Sequence, residues 1–288
     1  MSTIPHLLVN ADLSQAEARV VAYASGDKGL CDLFESGVDY HRANALNIWH
    51  LPSLEHVTPA QRQLAKMGGH ASNYLITAPT LAKQLGIPLS EAVEFLRAYR
   101  GRYPGLVAWQ DALWALVLKT RKVTNLYGRT AVILKRMDDE VRRSITAYVP
   151  QSTVTDHINR ALLAFLADNP EGDWFTLLLQ CHDSLLWSVE HDKIDRFNAL
   201  LKPYLEVPIP INEHKTFIIP ADFEVGANYK HLIRYATPEQ EFLIRGGISK
   251  GLGGEKGEGP DLVEFSGASK DACSAIFKNQ LWRTIHAS

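Results

Sequence analysis

The chain has 288 residues, of which 46% are hydrophobic, which is enough apolar material for one sizeable core or two modest ones and excludes a wholly disordered chain. Its 30 lysine and arginine residues nearly balance its 32 acidic residues. The balance excludes the global positive field of a non-specific nucleic-acid binder, so contacts to a polyanion have to come from local basic clusters.

The cysteines and the N-terminal sequence indicate the cellular environment. Cys31, Cys181 and Cys273 stand singly, without a spacing that binds zinc. This pattern predicts a reducing cell interior around the protein and no structural metal. The first residues resemble no secretory signal, and no apolar run approaches the roughly 18 residues that a membrane span requires. A soluble intracellular protein with no membrane partner is therefore expected.

The N-terminal segment predicts a strand followed by a helix. Residues 6–13 are strand-like, and a helical pattern opens at Ser14 and stops before Gly26. Asp12 is therefore expected at a strand-to-helix junction.

The next predicted elements are helices. Thr58 and Pro59 are typical of a helix start, and this helix is predicted to run to about Tyr74. Ser90 is the predicted cap of a further helix, which the segment 102–105 separates from another one.

The second half of the chain returns to strands. Residues 125–134 predict one arm of a hairpin, and residues 141–166 predict a long helix. Residues 175–190 predict two strands with Asp183 at their turn. Strands that frame helices in this order indicate an α+β fold with a largely helical insertion.

Two features of these elements indicate chemistry. Asp12 and Asp183 each end a strand-like segment, so one edge of a sheet can bring both carboxylates together, as in a two-metal site. The helix after Thr58 carries a stripe of side chains with four-residue spacing, a pattern suited to a triphosphate with a stacked base. The alternative is an exposed helix face with a partly buried Tyr74. The members of the stripe are Arg62, Lys66, His70 and Tyr74.

A local basic cluster lies between residues 119 and 160, where nine lysine and arginine residues accompany four acidic ones. Such an excess is suited to a nucleic-acid backbone, although a solvated helix face would give the same count.

A series of motifs in one order resembles the palm and fingers of family A (polymerase-I-like) DNA polymerases, most closely the versions carried by bacteriophages. The resemblance covers roughly residues 5–232. The motifs are Asp12-Leu-Ser-Gln-x-Glu17-x-Arg19, Asp39-x-His41-Arg42, Arg62-x3-Lys66-x3-His70-x3-Tyr74, Arg102-Tyr103-Pro104-Gly105, Tyr127-Gly128-Arg129, Arg143 with Gln151, and His182-Asp183.

The resemblance implies an α+β polymerase palm, an antiparallel sheet with flanking helices, into which a helical fingers subdomain is inserted. The palm would comprise residues 1–38 and 125–235, and the fingers residues 39–124. Residues 236–288 form a Gly-rich tail with the composition of a disordered linker. The thumb and the exonuclease are expected to be absent, and a separate polypeptide that carries them is an expected partner.

The resemblance also implies the site. Asp12, Asp183 and the Leu13 carbonyl would hold two Mg²⁺ ions, for which Mn²⁺ can substitute. Asp12, Asp183 and Lys66 would be the catalytic residues. The residues expected to bind the incoming nucleotide are Gln15, Glu17, His41, Arg62, Lys66, His70 and Tyr74. Those expected to bind primer-template DNA are Arg143, Gln151 and His182.

The implied activity is template-directed DNA synthesis in the cytoplasm of a bacterium or of a phage-infected host cell. Glu17 would press against the sugar and exclude a 2′-hydroxyl, so deoxynucleoside triphosphates are the expected substrates. The alternative is a non-catalytic fragment that binds DNA or a thumb-bearing partner. A single-subunit RNA polymerase is disfavoured by Glu17, and a hydrolase is disfavoured because adjacent turn residues cannot form a catalytic triad.

Three residues depart from the family's pattern. His70 stands where the family has Phe or Tyr, Leu75 where it has Gly, and Ser184 where it often has Glu. Altered discrimination at the sugar, a stiffer hinge and weaker metal binding are the expected effects. A palm that lacks its first strands is also expected to expose a sheet edge or an apolar patch near residues 5–13.

Overall fold

The structure is a computed structural model that describes residues 5–170 and 174–235. The helices are α1 (Ala16–Ser25), α2 (Lys28–Glu35), α3 (Tyr40–Ile48), α4 (Pro59–Asn73), α5 (Ala78–Leu85), α6 (Leu89–Arg102), α7 (Pro104–Thr120), α8 (Asp139–Asp168) and α9 (Ile194–Leu205). The strands are β1 (His6–Leu13), β2 (Lys122–Thr124), β3 (Thr130–Val132), β4 (Phe175–Cys181), β5 (Ser184–Glu190), β6 (Ile209–Asn212), β7 (Lys215–Phe217), β8 (Ala221–Gly226) and β9 (Ile233–Tyr235). The expectations for the Gly-rich tail concern residues outside the described ranges.

The main sheet is antiparallel, with the strand order β4-β5-β1-β8-β9. Its central strand, β1, buries Val9, Ala11 and Leu13 on one face, while Asp12 belongs to the other face because side chains alternate along a strand. The prediction of an open sheet edge near residues 5–13 is wrong, because β1 pairs with β5 on one side and with β8 on the other. The edge strands are β4 and β9.

Aromatic side chains attach the buried face of the sheet to the helices. The ring of Phe165, on α8, lies 5.7 Å from Phe175, 5.5 Å from Trp187 and 5.9 Å from Phe197 between centroids. All four side chains are buried. Because α8 and α9 cover this face, the opposite face, which carries Asp12, remains available for a site.

A second core joins the helices of the segment 28–120. Its buried tyrosine hydroxyls are paired: Tyr99 contacts the Tyr40 hydroxyl at 2.7 Å and donates to Asn73 Oδ1 at 2.9 Å, and Tyr103 donates to Asn44 Oδ1 at 2.5 Å. Paired hydroxyls avoid the cost of burying unsatisfied polar groups. This core positions α3 and α4, which carry candidate site residues.

The α+β fold with inserted helices is confirmed, and several boundaries differ from the prediction. The first helix begins at Ala16 and not at Ser14, because Gln15 adopts a left-handed conformation with φ 53°. The predicted cap Ser90 lies inside α6, whose first residue is Leu89. The predicted strand 125–134 is shorter and forms β3, which pairs with β2. No helix among the described residues is long and apolar enough to cross a membrane.

Candidate active site

Sheet pairing brings the two predicted aspartates together. The β4–β5 turn places Asp183 beside the end of β1, where the Leu13 N–H donates to the Asp183 carbonyl at 3.0 Å. Asp12 stands opposite Ser184 in the register of β1 and β5. The two carboxylates therefore share one end of the central strand, as the sequence predicted.

The same register adds two acidic residues that the sequence reasoning missed. Asp222 lies opposite Asp12, and Glu224 lies opposite Asn10, on the strand β8. Asp222 forms an ion pair with Arg234 at 2.5 Å. The alternation of acidic and apolar residues in β8 is visible in the sequence, but the neighbour of that strand in the sheet is not.

Burial and the crowded carboxylates raise the pKa values of the two aspartates in the site. Burial, followed by the charges of Asp183, Glu224 and Asp222, raises the pKa of Asp12 to about 7, against the opposing charge of Lys66. Burial also raises the pKa of Asp183. The end of β1 therefore carries negative charge that a divalent cation would relieve.

The donor set fits a hard cation that shares its coordination with a substrate. Within residues 5–170 and 174–235, no cluster of three or more His, Cys, Asp and Glu side chains is arranged to hold a metal. Mg²⁺ commonly takes one or two carboxylates and completes its shell with water and substrate phosphates. Asp12 and Asp183 supply such a pair of oxygen donors.

The helix α4 presents the predicted stripe. A capping box between Thr58 and Gln61 starts the helix, and Lys66 and His70 are exposed along it. The positive charge of Lys66 acts on Asp12. The stripe and the carboxylates therefore belong to one site.

The C-terminal end of the stripe contacts the first motif directly. The Tyr74 hydroxyl donates a hydrogen bond to Glu17 Oε2, and the ring of His70 lies edge-on to that of Tyr74 with centroids 5.0 Å apart. Burial and the neighbouring Glu17 raise the pKa of Tyr74, so its hydroxyl stays protonated as a donor. Glu17 is thus held where α1 and α4 meet.

His41 joins the stripe from the neighbouring helix α3. Burial, followed by the charges of Arg62, Lys66 and His70, lowers the pKa of His41 to about 4, against the opposing charge of Asp39. The buried Nδ1 atom of His41 has no hydrogen-bond partner among the described residues. The imidazole is therefore neutral at pH 7 and lies among cationic groups.

The remaining predicted residues stand just after β1, in the β4–β5 turn and on α8. Gln15 and His182 are exposed in left-handed conformations, with φ 53° and 52°. Gln151 is exposed on α8. Arg143, also on α8, lines a pocket together with Leu75.

One departure from the family's pattern has a structural consequence. Leu75 follows α4 with φ 59°, a left-handed conformation that glycine adopts at less cost. Leu75 therefore holds a backbone conformation that is strained for a residue with a Cβ atom.

Comparisons with known proteins concern the fold and the sequence of the chain. In fold, the chain matches the POL domain of Pol1 from M. smegmatis, solved in complex with DNA primer-template and dNTP, with a TM-score of 0.69 and 24% identity over 78% of this chain and 40% of that one. In sequence, it is 31% identical to DNA polymerase I of Pseudomonas aeruginosa, over 71% of this chain and 24% of the relative. It is 30% identical to the thermostable DNA polymerase I of Thermus thermophilus, over 76% of this chain and 26% of the relative.

The fold is therefore that of a DNA polymerase POL domain. The family model for DNA polymerase family A matches residues 2–231, and the chain belongs to this family, as the motifs predicted. It spans about a quarter of the length of these two relatives.

Proposed function

We propose that the chain carries out template-directed DNA synthesis, adding deoxynucleotides to a primer 3′-hydroxyl by two-metal phosphoryl transfer. One observation carries the proposal: Asp12 and Asp183 meet at the end of β1, within the electrostatic reach of Lys66. Membership of DNA polymerase family A supports the same reaction.

In this proposal Asp12, Asp183 and the Leu13 carbonyl hold two Mg²⁺ ions, for which Mn²⁺ can substitute. When bound, the ions activate the primer 3′-hydroxyl and neutralise charge on the β- and γ-phosphates. Lys66 contacts the phosphates of the incoming nucleotide, where its ammonium group stabilises the charge that develops on the leaving pyrophosphate.

The neighbouring residues select and orient the nucleotide. Glu17, held by the Tyr74 hydroxyl, closes the space that a 2′-hydroxyl would need. Arg62 and His41 bind the outer phosphates of the nucleotide, and His70 and Gln15 contact the rest of it.

Primer-template DNA is bound beside the nucleotide. Arg143, Gln151 and His182 contact primer or template, and Tyr74 stacks at the templating position. Contacts to the DNA backbone allow every sequence to be copied.

A second polypeptide that carries a thumb or an exonuclease is part of the proposal. About three quarters of the length of each of the two relatives lies outside the part that this chain matches. Three further statements stay predictions: the bacteriophage subgroup, the cytoplasmic location, and the subdomain boundaries 1–38, 39–124, 125–235 and 236–288.

Primer extension tests the proposed function. The purified chain is incubated with a labelled primer-template, the four deoxynucleoside triphosphates and Mg²⁺ or Mn²⁺. Asp183→Ala is expected to reduce extension by more than about 100-fold. Asp192→Ala removes an exposed carboxylate of the same type and is expected to retain activity.

The alternative function gives a different result in this assay. A folded chain that binds primer-template but extends it no better than Asp183→Ala would be a non-catalytic fragment, and the proposal would be wrong.

A further inference from the structure

We propose that Asp39 is a positioning residue that fixes Arg62 and His41 together for the outer phosphates of the incoming nucleotide. The inference rests on the proposed function and assigns a role to a carboxylate that touches neither the metal site nor the reacting atoms.

The carboxylate of Asp39 joins two helices. Its Oδ1 atom accepts the N–H of His41 at 2.9 Å and the N–H of Arg42 at 3.0 Å, which caps the first turn of α3. Its Oδ2 atom accepts the Arg62 Nε–H, on α4, at 2.8 Å. One side chain therefore fixes the backbone of His41 and the guanidinium of Arg62 at the same time.

The contact between Asp39 and Arg62 leaves part of the Arg62 guanidinium available to bind a phosphate. Asp39 engages Nε, and the two terminal nitrogens are the parallel donors that bind a phosphate in a bidentate manner. The Arg62 side chain retains 41% of its accessible surface in this arrangement. It is thus oriented by Asp39 while it stays open to a ligand.

His41 adds an unsatisfied polar atom next to the Asp39–Arg62 pair. The residue is only 9% exposed, and its Nδ1 atom is buried without a hydrogen-bond partner among the described residues. A buried polar atom without a partner is costly. A phosphate oxygen of the nucleotide that accepts the Nδ1–H of His41, or a water molecule that accompanies the nucleotide, would satisfy it, provided that the start of α3 is held in place.

Charge also assigns Asp39 a role beyond capping. Burial raises the pKa of Asp39, but the hydrogen bonds from the Arg42 N–H and from Arg62 together hold it below its ordinary value. The residue is therefore ionised at neutral pH. It offsets the repulsion among the cationic groups Arg62 and Lys66 before the nucleotide arrives.

A plain helix cap is the competing explanation, and a serine substitution separates the two. Serine caps helices about as well as aspartate, so Asp39→Ser keeps the start of α3 but removes the partner of Arg62. The matched control is Asp138→Ser, because Asp138 caps α8 by accepting the Val141 N–H at 2.9 Å, and α8 carries none of the residues proposed to bind the nucleotide.

The measurement is the dissociation constant of deoxyadenosine triphosphate for the full chain bound to a primer-template, in Mg²⁺. Asp39→Ser is expected to raise this constant about tenfold, and Asp138→Ser to change it less than about twofold. In primer extension, Asp39→Ser is expected to raise KM for the nucleotide and to leave kcat within about twofold of the wild-type value. Circular dichroism confirms that each variant is folded.

A double-mutant cycle tests whether Asp39 acts through Arg62. In an Arg62→Ala background, Asp39→Ser is expected to weaken binding by less than about threefold, because the partner that it positions is gone. Equal weakening in both backgrounds would overturn the inference, as would unchanged binding in Asp39→Ser alone. A wild-type chain that does not bind the nucleotide at all would overturn the proposed function first, and the inference with it.

Discussion

Among the single side chains, Asp12 combines burial with three nearby carboxylates. Its pKa of about 7 in the folded chain exceeds the value near 4 of an unfolded aspartate. Between about pH 4 and 7 the folded state therefore binds more protons than the unfolded state. The free energy of unfolding of the metal-free chain consequently falls as the pH rises through this window.

Asp12→Asn is expected to remove the contribution of Asp12 to this pH dependence. At pH 8 the variant is expected to have a free energy of unfolding about 1–2 kcal/mol above that of the wild type, a figure discounted for partial exposure of the carboxyl. At pH 4 the two are expected to be similar. Urea denaturation in EDTA at pH 4, 6 and 8 measures the difference, and the exposed Asp192→Asn serves as the control. A variant less stable than the wild type at pH 8 would contradict the argument.

Glu17 is expected to set the preference for deoxynucleotides. Glu17→Ala removes the carboxylate that the Tyr74 hydroxyl holds, and it opens space for a 2′-hydroxyl. The ratio of kcat/KM for a deoxynucleotide to that for the matching ribonucleotide is expected to fall about 100-fold. Single-nucleotide incorporation measures this ratio.

Glu17→Gln is the matched variant for this prediction. It keeps the length of the side chain and an acceptor for the Tyr74 hydroxyl, so most of the discrimination is expected to remain. If Ala and Gln variants lose discrimination equally, charge and not bulk is responsible.

The residues of the site differ in how far sequence could identify them. Asp12, Lys66 and Asp183 belong to local motifs, and the spacing of the stripe requires only the helical period. Asp222 was missed because its position opposite Asp12 depends on strand register. The carboxylate of Asp39 accepts a hydrogen bond from Arg62, 23 positions further along the chain, a contact that only the packing of α3 on α4 creates.

Among the helices, α4 depends on a close approach to α6. A Cβ atom added at Gly68 would lie 2.8 Å from Phe95 Cε1 and would overlap further atoms of that ring. Gly68→Ala is therefore expected to lower the free energy of unfolding by about 1–3 kcal/mol through overpacking. Gly101→Ala, on α6, meets open space and is expected to be neutral or to stabilise by up to about 1 kcal/mol.

Denaturant unfolding of the two glycine variants checks this difference, with nucleotide binding as a second measurement. Since α4 carries the stripe, Gly68→Ala is also expected to weaken nucleotide binding. Equal stabilities of the two variants would show that α4 can move away from Phe95 at little cost.

The helices also show why boundaries are harder to predict than periods. The Thr58 cap and Pro59 in the first turn are local signals, and they located the start of α4 correctly. The start of α1 is different, because Gln15 takes a left-handed backbone that no pattern in its neighbours required. Non-glycine residues adopt this conformation uncommonly, so the sequence pattern did not indicate it.

For the molecule as a whole, the order of the elements was predictable and the sheet was not. Chain order predicted strands that frame inserted helices, but it did not predict that β1 lies in the centre of the sheet with β8 beside it. Pairing between segments so far apart is set by the shared core around Phe165 and Trp187. The missing open edge near residues 5–13 follows from this pairing.

The electrostatics of the whole chain lead to a last prediction, on the salt dependence of DNA binding. The formal net charge is −2, so under the proposed function we expect attraction to DNA to come from local basic clusters such as that between residues 119 and 160. Two of its members are partly neutralised, because Arg129 pairs with Asp156 at 2.9 Å and Arg142 pairs with Asp111 at 2.5 Å. Arg143 is in none of the ion pairs of the described residues.

We therefore expect Arg143→Gln to change the salt dependence of primer-template binding. The plot of log K against log salt concentration is expected to become shallower by about 0.9, which corresponds to the counterion release of one phosphate contact. Fluorescence anisotropy between about 50 and 200 mM salt measures this slope. Arg97→Gln removes the same charge from α6, where Glu94 pairs with it at 2.7 Å, and it is expected to leave the slope unchanged. Equal changes in both variants would indicate that net charge, and not a contact of Arg143, governs the affinity.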